Sequence, residues 1–142
     1  MPRLSKAAAQ ERKARIVALA EKRFVQNGYE QTTVDEIVKE IGLAKGTYYY
    51  HFASKEDLMI AVSEKLILET STKLNAVYDR RDKDIVWRIR NVLKTYQDDF
   101  YRNKGIWRQV YHWRNAMLYH RVAHISAQRF TPILEDLLAE AS

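Results

Sequence analysis

Thr32–Leu58 reads TTVDEIVKEIGLAKGTYYYHFASKEDL, and the order of residue types in it lays out two helices joined by a tight turn. Apolar residues recur at Val34, Ile37, Val38 and Ile41, the i, i+3, i+4, i+7 spacing of a helix buried along one face. Thr32 and Thr33 precede this stripe, and Glu36 follows Thr33 by three positions, the spacing of a capping box. Gly42 comes directly after the last apolar residue, where a helix stop or a left-handed turn residue belongs. A short second helix then fits Lys45 to His51.

The second helix divides its residues by face. Tyr48 and Phe52, four apart, turn inward with Leu43, whereas Lys45 and Tyr49, also four apart, point elsewhere with Thr47, Tyr50 and His51 beside them. Gly46 inside this helix costs about 1 kcal/mol relative to alanine, a cost that close approach of the backbone to another molecule justifies. The outward groups suit duplex DNA. Lysine donates to guanine O6 and N7, tyrosine donates to phosphate and packs on a thymine methyl, and threonine can do either. A helical hairpin with a solvated aromatic face would show any one of these signals; all of them together favour a DNA-reading pair.

Residues 20–62, AEKRFVQNGYEQTTVDEIVKEIGLAKGTYYYHFASKEDLMIAV, resemble the N-terminal DNA-binding domain of TetR-family transcriptional repressors. The resemblance rests on Phe24, the Asn27-Gly28-Tyr29 corner, Thr32-Thr33-Val34, Ile37, Gly42, Lys45-Gly46-Thr47, Tyr49-Tyr50-His51-Phe52 and Ser54-Lys55-Glu56. It implies an all-α protein with a helix-turn-helix domain over residues 1–53 and a helical effector-binding and dimerisation domain over residues 54–142. It also implies that Lys45 and Tyr49 read bases over a closely approaching Gly46. Thr33, Thr47, Tyr50, His51 and Lys55 would hold phosphates. A homodimer would set two recognition helices about 34 Å apart on a palindromic operator, to be released by a small apolar or aromatic effector. Ala44 stands where the family usually has serine, and Tyr48 where it usually has leucine. Members usually continue with two further helices that make the dimer, so the second domain is expected to lack those two.

Composition agrees with a packed helical protein that has an acidic partner. Of 142 residues, 46% are hydrophobic, the formal charge is +6 and the pI is near 9.5. Residues 1–55 hold ten Lys/Arg against six Asp/Glu, and the remainder fourteen against twelve. Cysteine is absent, which excludes disulfides and thiol chemistry. The start, Met1-Pro2-Arg3-Leu4-Ser5-Lys6, lacks the apolar core of a signal peptide, and no run has the length and apolarity of a membrane span. A soluble cytoplasmic protein is expected.

Along the chain, residues 2–6 form a basic arm of the kind that can reach a minor groove. Ser5 can cap a first helix whose buried stripe is Ile16, Leu19, Ala20 and Phe24, ended by Asn27-Gly28, with Tyr29 folding back on its last turn. Ser54 can cap a long helix through Leu58, Val62, Leu66, Leu74 and Val77, whose free N–H groups face a DNA phosphate. After the charged loop from Asp79 to Asp84, a stripe of Ile85, Ile89, Val92, Leu93, Tyr96 and Phe100 runs to a stop near Asn103-Lys104-Gly105. One or two aromatic-rich helices follow over residues 106–127. Thr131-Pro132 then predicts a fresh helix start before Ile133, Leu134, Leu137 and Leu138.

Tyr96, Phe100, Trp107, Tyr111, Trp113 and Met117 fit either a core or the lining of an effector cavity; helical spacing alone favours the core, and the resemblance brings the cavity level with it. His120 and His124 share a helical face, but no adjacent glutamate or cysteine accompanies them and His112 lies off that face, so no metal site and no cofactor is expected. No nucleophile–histidine–acid set, Gly-rich phosphate loop or HExxH occurs, which argues against an enzyme. An effector-independent architectural DNA binder is the alternative reading.

Overall fold

The structure, a computed structural model, describes residues 5–142, and at Trp113 the backbone alone. Its elements are helices α1 (Lys6–Asn27), α2 (Val34–Ile41), α3 (Lys45–His51), α4 (Lys55–Tyr78), α5 (Ile85–Arg102), α6 (Lys104–Val110) and α7 (Ala116–Ala141), with a 3-10 turn over Trp113–Asn115. The fold is all-α. The chain forms two compact units that meet between Val62 and Ser63, inside α4. Residues 2–4 of the expected basic arm lie outside the described residues.

In the first unit, Ser5 accepts from the Ala8 N–H at 3.1 Å and starts α1. Four residues at strict helical spacing or next to it, Ile16, Val17, Ala20 and Phe24, are buried, while Leu19 is only half-buried. Gly28 ends the helix at φ 93°, a conformation that side-chain-bearing residues rarely adopt. Tyr29 returns to pack edge-on against Phe24, ring centroids 5.4 Å apart. Thr32 is fully buried and its hydroxyl donates to the Gly28 carbonyl at 2.7 Å, which fixes the corner between α1 and α2.

Thr33 caps α2 by accepting from the Glu36 N–H at 3.1 Å, and Gly42 closes it in the left-handed conformation at φ 80°. Ala44 begins α3 without a side-chain cap, so the first turn of the helix gets no acceptor from that position's side chain. Ala44→Ser is expected to stabilise the protein by about 1 kcal/mol. Urea melts of the two proteins check this; an unchanged midpoint at equal slope contradicts it.

The second unit departs from the sequence reading in two places. In α5 the buried residues are Arg88, Val92 and Asp99, while Leu93 is 54% exposed and Tyr96 and Phe100 are partly exposed. The helix is rotated from the expected apolar stripe because two charged residues are buried with partners. Asp99 accepts from Thr70 Oγ1 at 3.1 Å, Lys73 Nζ at 2.9 Å and Arg102 Nη1 at 3.0 Å. Arg88 pairs with Glu140 and also donates to the Tyr78 carbonyl at 3.4 Å. An ion pair offsets lost apolar burial only as far as its lone pairs and protons are matched, and the buried Arg88 Nε has no hydrogen-bond partner.

The stop expected near Asn103-Lys104-Gly105 falls at Asn103, which breaks α5 from α6, and Gly105 lies inside α6. Finally, Thr131-Pro132 starts nothing, and α7 runs through Pro132. Val122 before the proline and Ile133 and Leu137 after it are buried, so packing on both sides holds the helix through one missing N–H bond. Pro132 is itself exposed, which puts that missing bond on the solvent side. Ile133 and Leu137 join Leu74 and Val92 in one core cluster, flanked by Val77, Tyr78, Ile85, Ile89 and Phe130.

Candidate nucleic-acid interface

Tyr48 holds α3 in place. Its ring is fully buried, tilted against Phe52 with centroids 5.6 Å apart, and its hydroxyl donates to the Ser54 carbonyl at 2.9 Å. The extra hydroxyl of a tyrosine at this position thus finds a partner at the head of α4. Burial pushes the phenol well above its ordinary range, so it remains a donor.

With Tyr48 and Phe52 inward, the other side of α3 faces solvent. Lys45, Gly46, Tyr49 and Tyr50 are exposed, and Thr47 and His51 are half-buried. Tyr50 is the most open of these at 75% exposure, and Tyr49 leans edge-on against Tyr48 with centroids 5.1 Å apart. Lys45 Nζ lies 2.9 Å from Asp35 Oδ1 on α2; that hydrogen bond and the carboxylate's charge raise the lysine pKa. Both side chains are exposed, so the pair is held loosely and its partner can be exchanged.

A Cβ built on Gly46 would meet nothing within 4 Å. The isolated fold therefore has no use for glycine there, and the position is open to an external surface. Gly46→Ala is expected to stabilise the helix by up to about 1 kcal/mol while weakening duplex binding at least severalfold. Melting curves and a duplex titration check both signs together; undiminished binding contradicts a close approach at Gly46.

Around α3 stand further groups that the sequence reading assigned to phosphates. Thr33 caps α2, so its hydroxyl already accepts one backbone N–H. Lys55 donates to the Tyr29 carbonyl at 2.8 Å and sits over the Tyr29 ring at 4.4 Å. Its ammonium is thus anchored at the α1–α2 corner with protons to spare, since lysine carries three. Ser54 accepts from the Asp57 N–H at 3.1 Å at the start of α4. The residue that sequence reading missed is Arg12, whose Nε donates to His51 Nε2 at 3.3 Å. Burial first, then the charges of Arg12 and Lys13, lowers the pKa of His51 below its usual value.

The aromatic residues of the second unit separate into two groups. Tyr96, Phe100, Trp107 and Tyr111 come together: Phe100 lies nearly parallel to Trp107 with ring centroids 6.3 Å apart, and 6.2 Å from Tyr111. With Ile67, Thr70, Ser126 and Phe130 they surround a cavity of about 20 Å³, room for a single water. On their outer side Phe100, Trp107 and Tyr111 also line a groove of about 440 Å³ with Gln97, Tyr101, Lys104 and Arg108. Met117 is 70% exposed and lines neither space, and the side chain of Trp113 lies outside the described residues. His120 and His124 are exposed, and among the described residues no group of three His, Cys, Asp or Glu is placed to hold a metal ion. Among the described residues no helix is long and apolar enough to cross a membrane.

Residues 16–62 match the family described as bacterial regulatory proteins, tetR family. The HTH-type transcriptional regulator QacR of Staphylococcus aureus is 44% identical over 50 residues, which is 35% of this chain and 27% of that protein. The HTH-type transcriptional regulator TtgR of Pseudomonas putida is 36% identical over 66 residues, 46% of this chain and 31% of that one. The aligned part of this chain spans about a quarter to a third of the length of such curated relatives. Among solved structures, a TetR/AcrR-family transcriptional regulator from Thermobifida fusca superposes with a TM-score of 0.73 at 26% identity, covering 92% of this chain and 69% of that one. The fatty acid degradation regulator FadR of Bacillus halodurans superposes with a TM-score of 0.74 at 19% identity, over 98% of this chain and 69% of that one, a likeness of fold.

Proposed function

We propose that this chain, whose residues 16–62 match the tetR family of bacterial regulatory proteins, is a sequence-specific DNA-binding transcriptional regulator of that family, a repressor released from its operator by a small molecule. The observation that carries this reading is the division of α3. Tyr48 is locked inward by burial and by its bond to the Ser54 carbonyl, while Lys45, Gly46, Tyr49 and Tyr50 are left to solvent. A helix of seven residues has little else to offer than the side it exposes. In this reading Lys45 and Tyr49 contact base edges in the major groove, and Thr33, Thr47, Tyr50, His51 and Lys55 hold the flanking phosphates. Two protomers read the two halves of a palindrome, with half-sites one helical turn apart or a multiple of it.

The effector part of the proposal is supported by the aromatic wall of Phe100, Trp107 and Tyr111, which separates the small cavity from the larger groove. A cavity of about 20 Å³ cannot hold an organic molecule, so an apolar or aromatic effector enters by moving that wall. Release of DNA then requires that the effector bind the released state more tightly than the DNA-bound one. Selection of duplexes from a random pool tests the first part: enrichment of an inverted repeat supports a dimeric reader, and no enrichment contradicts it. A panel of apolar and aromatic compounds tests the second. If none raises the melting temperature or frees the duplex, the effector-independent architectural reading takes its place.

A further inference from the structure

Arg12 lies outside every group that the DNA reading uses, yet the fold aims it at one of them. It extends the buried positions 16, 20 and 24 of α1 by one more step of four, so its stem leaves the helix on the core side. Its guanidinium reaches the far end of α3, where Nε–H donates to His51 Nε2. Arginine is always protonated and has no acceptor. The lone pair in this contact therefore belongs to the imidazole, and a neutral imidazole with its lone pair on Nε2 carries its single proton on Nδ1.

The surroundings keep the ring neutral. The charged groups facing it are Arg12 and Lys13 of α1, with the Tyr50 and Phe52 rings beside it at 5.0 and 6.3 Å. Lys13 stands over the Phe52 ring at 5.5 Å. A second proton on the imidazole would remove the acceptor that Arg12 uses and place a cation beside two others.

We propose that Arg12 is a positioning residue for the DNA contact of His51: it locks the neutral imidazole in the Nδ1–H form and so makes His51 a hydrogen-bond donor to a backbone phosphate. A phosphate offers only acceptors, and a ring free to exchange its proton between the two nitrogens presents the donor only part of the time. This role rests on the DNA reading of α3 and would fall with it.

The variants Arg12→Gln and Arg12→Met separate the bond from the charge. Both remove the positive charge. Glutamine keeps an N–H on the same side-chain atom position that carries Nε in arginine, and methionine does not. Long-range nitrogen–proton NMR spectra of the full chain near pH 7.5 read the tautomer; the loss of one set of signals in His51→Asn identifies His51 among the four histidines. The expected result is the Nδ1–H pattern in the unaltered protein and in Arg12→Gln, and a mixed pattern in Arg12→Met. Duplex titrations should then show Arg12→Met binding about tenfold more weakly than Arg12→Gln, the loss of one hydrogen bond, with equal salt slopes. An Nε2–H pattern in the unaltered protein overturns the proposal and requires no variant to fold. Equal affinity of the two variants overturns it as well, while leaving the DNA reading intact. An unaltered protein that binds no duplex at low salt overturns the DNA reading itself, and this role for His51 with it.

Discussion

Lys45→Ala is expected to weaken binding to the preferred duplex by roughly tenfold to a hundredfold and to flatten discrimination at one base position. Lys45 is the first residue of α3 and the only lysine in it, and its ammonium already spans the gap to α2, where Asp35 Oδ1 holds it at 2.9 Å. Since both groups are exposed, water screens the pair, and docking on a guanine edge exchanges one acceptor for two. Asp35→Ala should have the opposite sign: it frees Lys45 and removes a negative charge beside the proposed DNA face, so binding should tighten, most clearly at low salt. Titrations of both variants against the preferred duplex and a series of single-base changes check this. A Lys45→Ala loss that is uniform across all sequences would assign the lysine to a phosphate instead.

Tyr48→Ala is expected to cost about 4 kcal/mol of stability, as removal of a fully buried aromatic ring does. The ring packs on Phe52 and supports Tyr49, and its hydroxyl ties α3 to the start of α4 at the Ser54 carbonyl. Tyr48→Phe keeps the ring and loses only that bond, so it should cost about 1 kcal/mol. Because a small domain is stable by only about 5–15 kcal/mol in total, the alanine variant should melt at far lower urea and bind DNA poorly, whereas the phenylalanine variant should keep most of its binding. Urea melts followed by circular dichroism separate the two. Equal costs for the two variants would mean that the hydroxyl bond, not the ring, holds α3.

The first unit was legible in the sequence because each of its corners is set by a local residue choice. Thr33 caps α2, Gly28 and Gly42 take positive φ where their helices end, and Tyr29 folds back on Phe24, all within a few residues of the signal that announces them. The second unit was less legible because partners distant in sequence decide its burial. Asp99 is buried by Thr70 and Lys73, and Arg88 by Glu140, so apolar periodicity placed Leu93 inward where it is exposed. The proline signal at 132 failed for the same reason: Ile133 and Leu137 pack on Leu74 and Val92, and that packing outweighs a local helix stop. At the candidate interface, the residue types and spacing of α3 pointed to the exposed face. Arg12 was missed because only the folded chain brings position 12 to position 51.

The proposed function stands or falls with sequence reading by α3. Fluorescence anisotropy tests it most directly, with the full chain titrated onto a selected duplex and onto the same duplex altered at the bases facing α3, each in excess random DNA and at two salt concentrations. The expected result is binding to the selected duplex that survives the competitor, two protomers per duplex, and a marked loss on the altered one at both salts. Equal binding to the two duplexes, lost together as competitor or salt is raised, would contradict it.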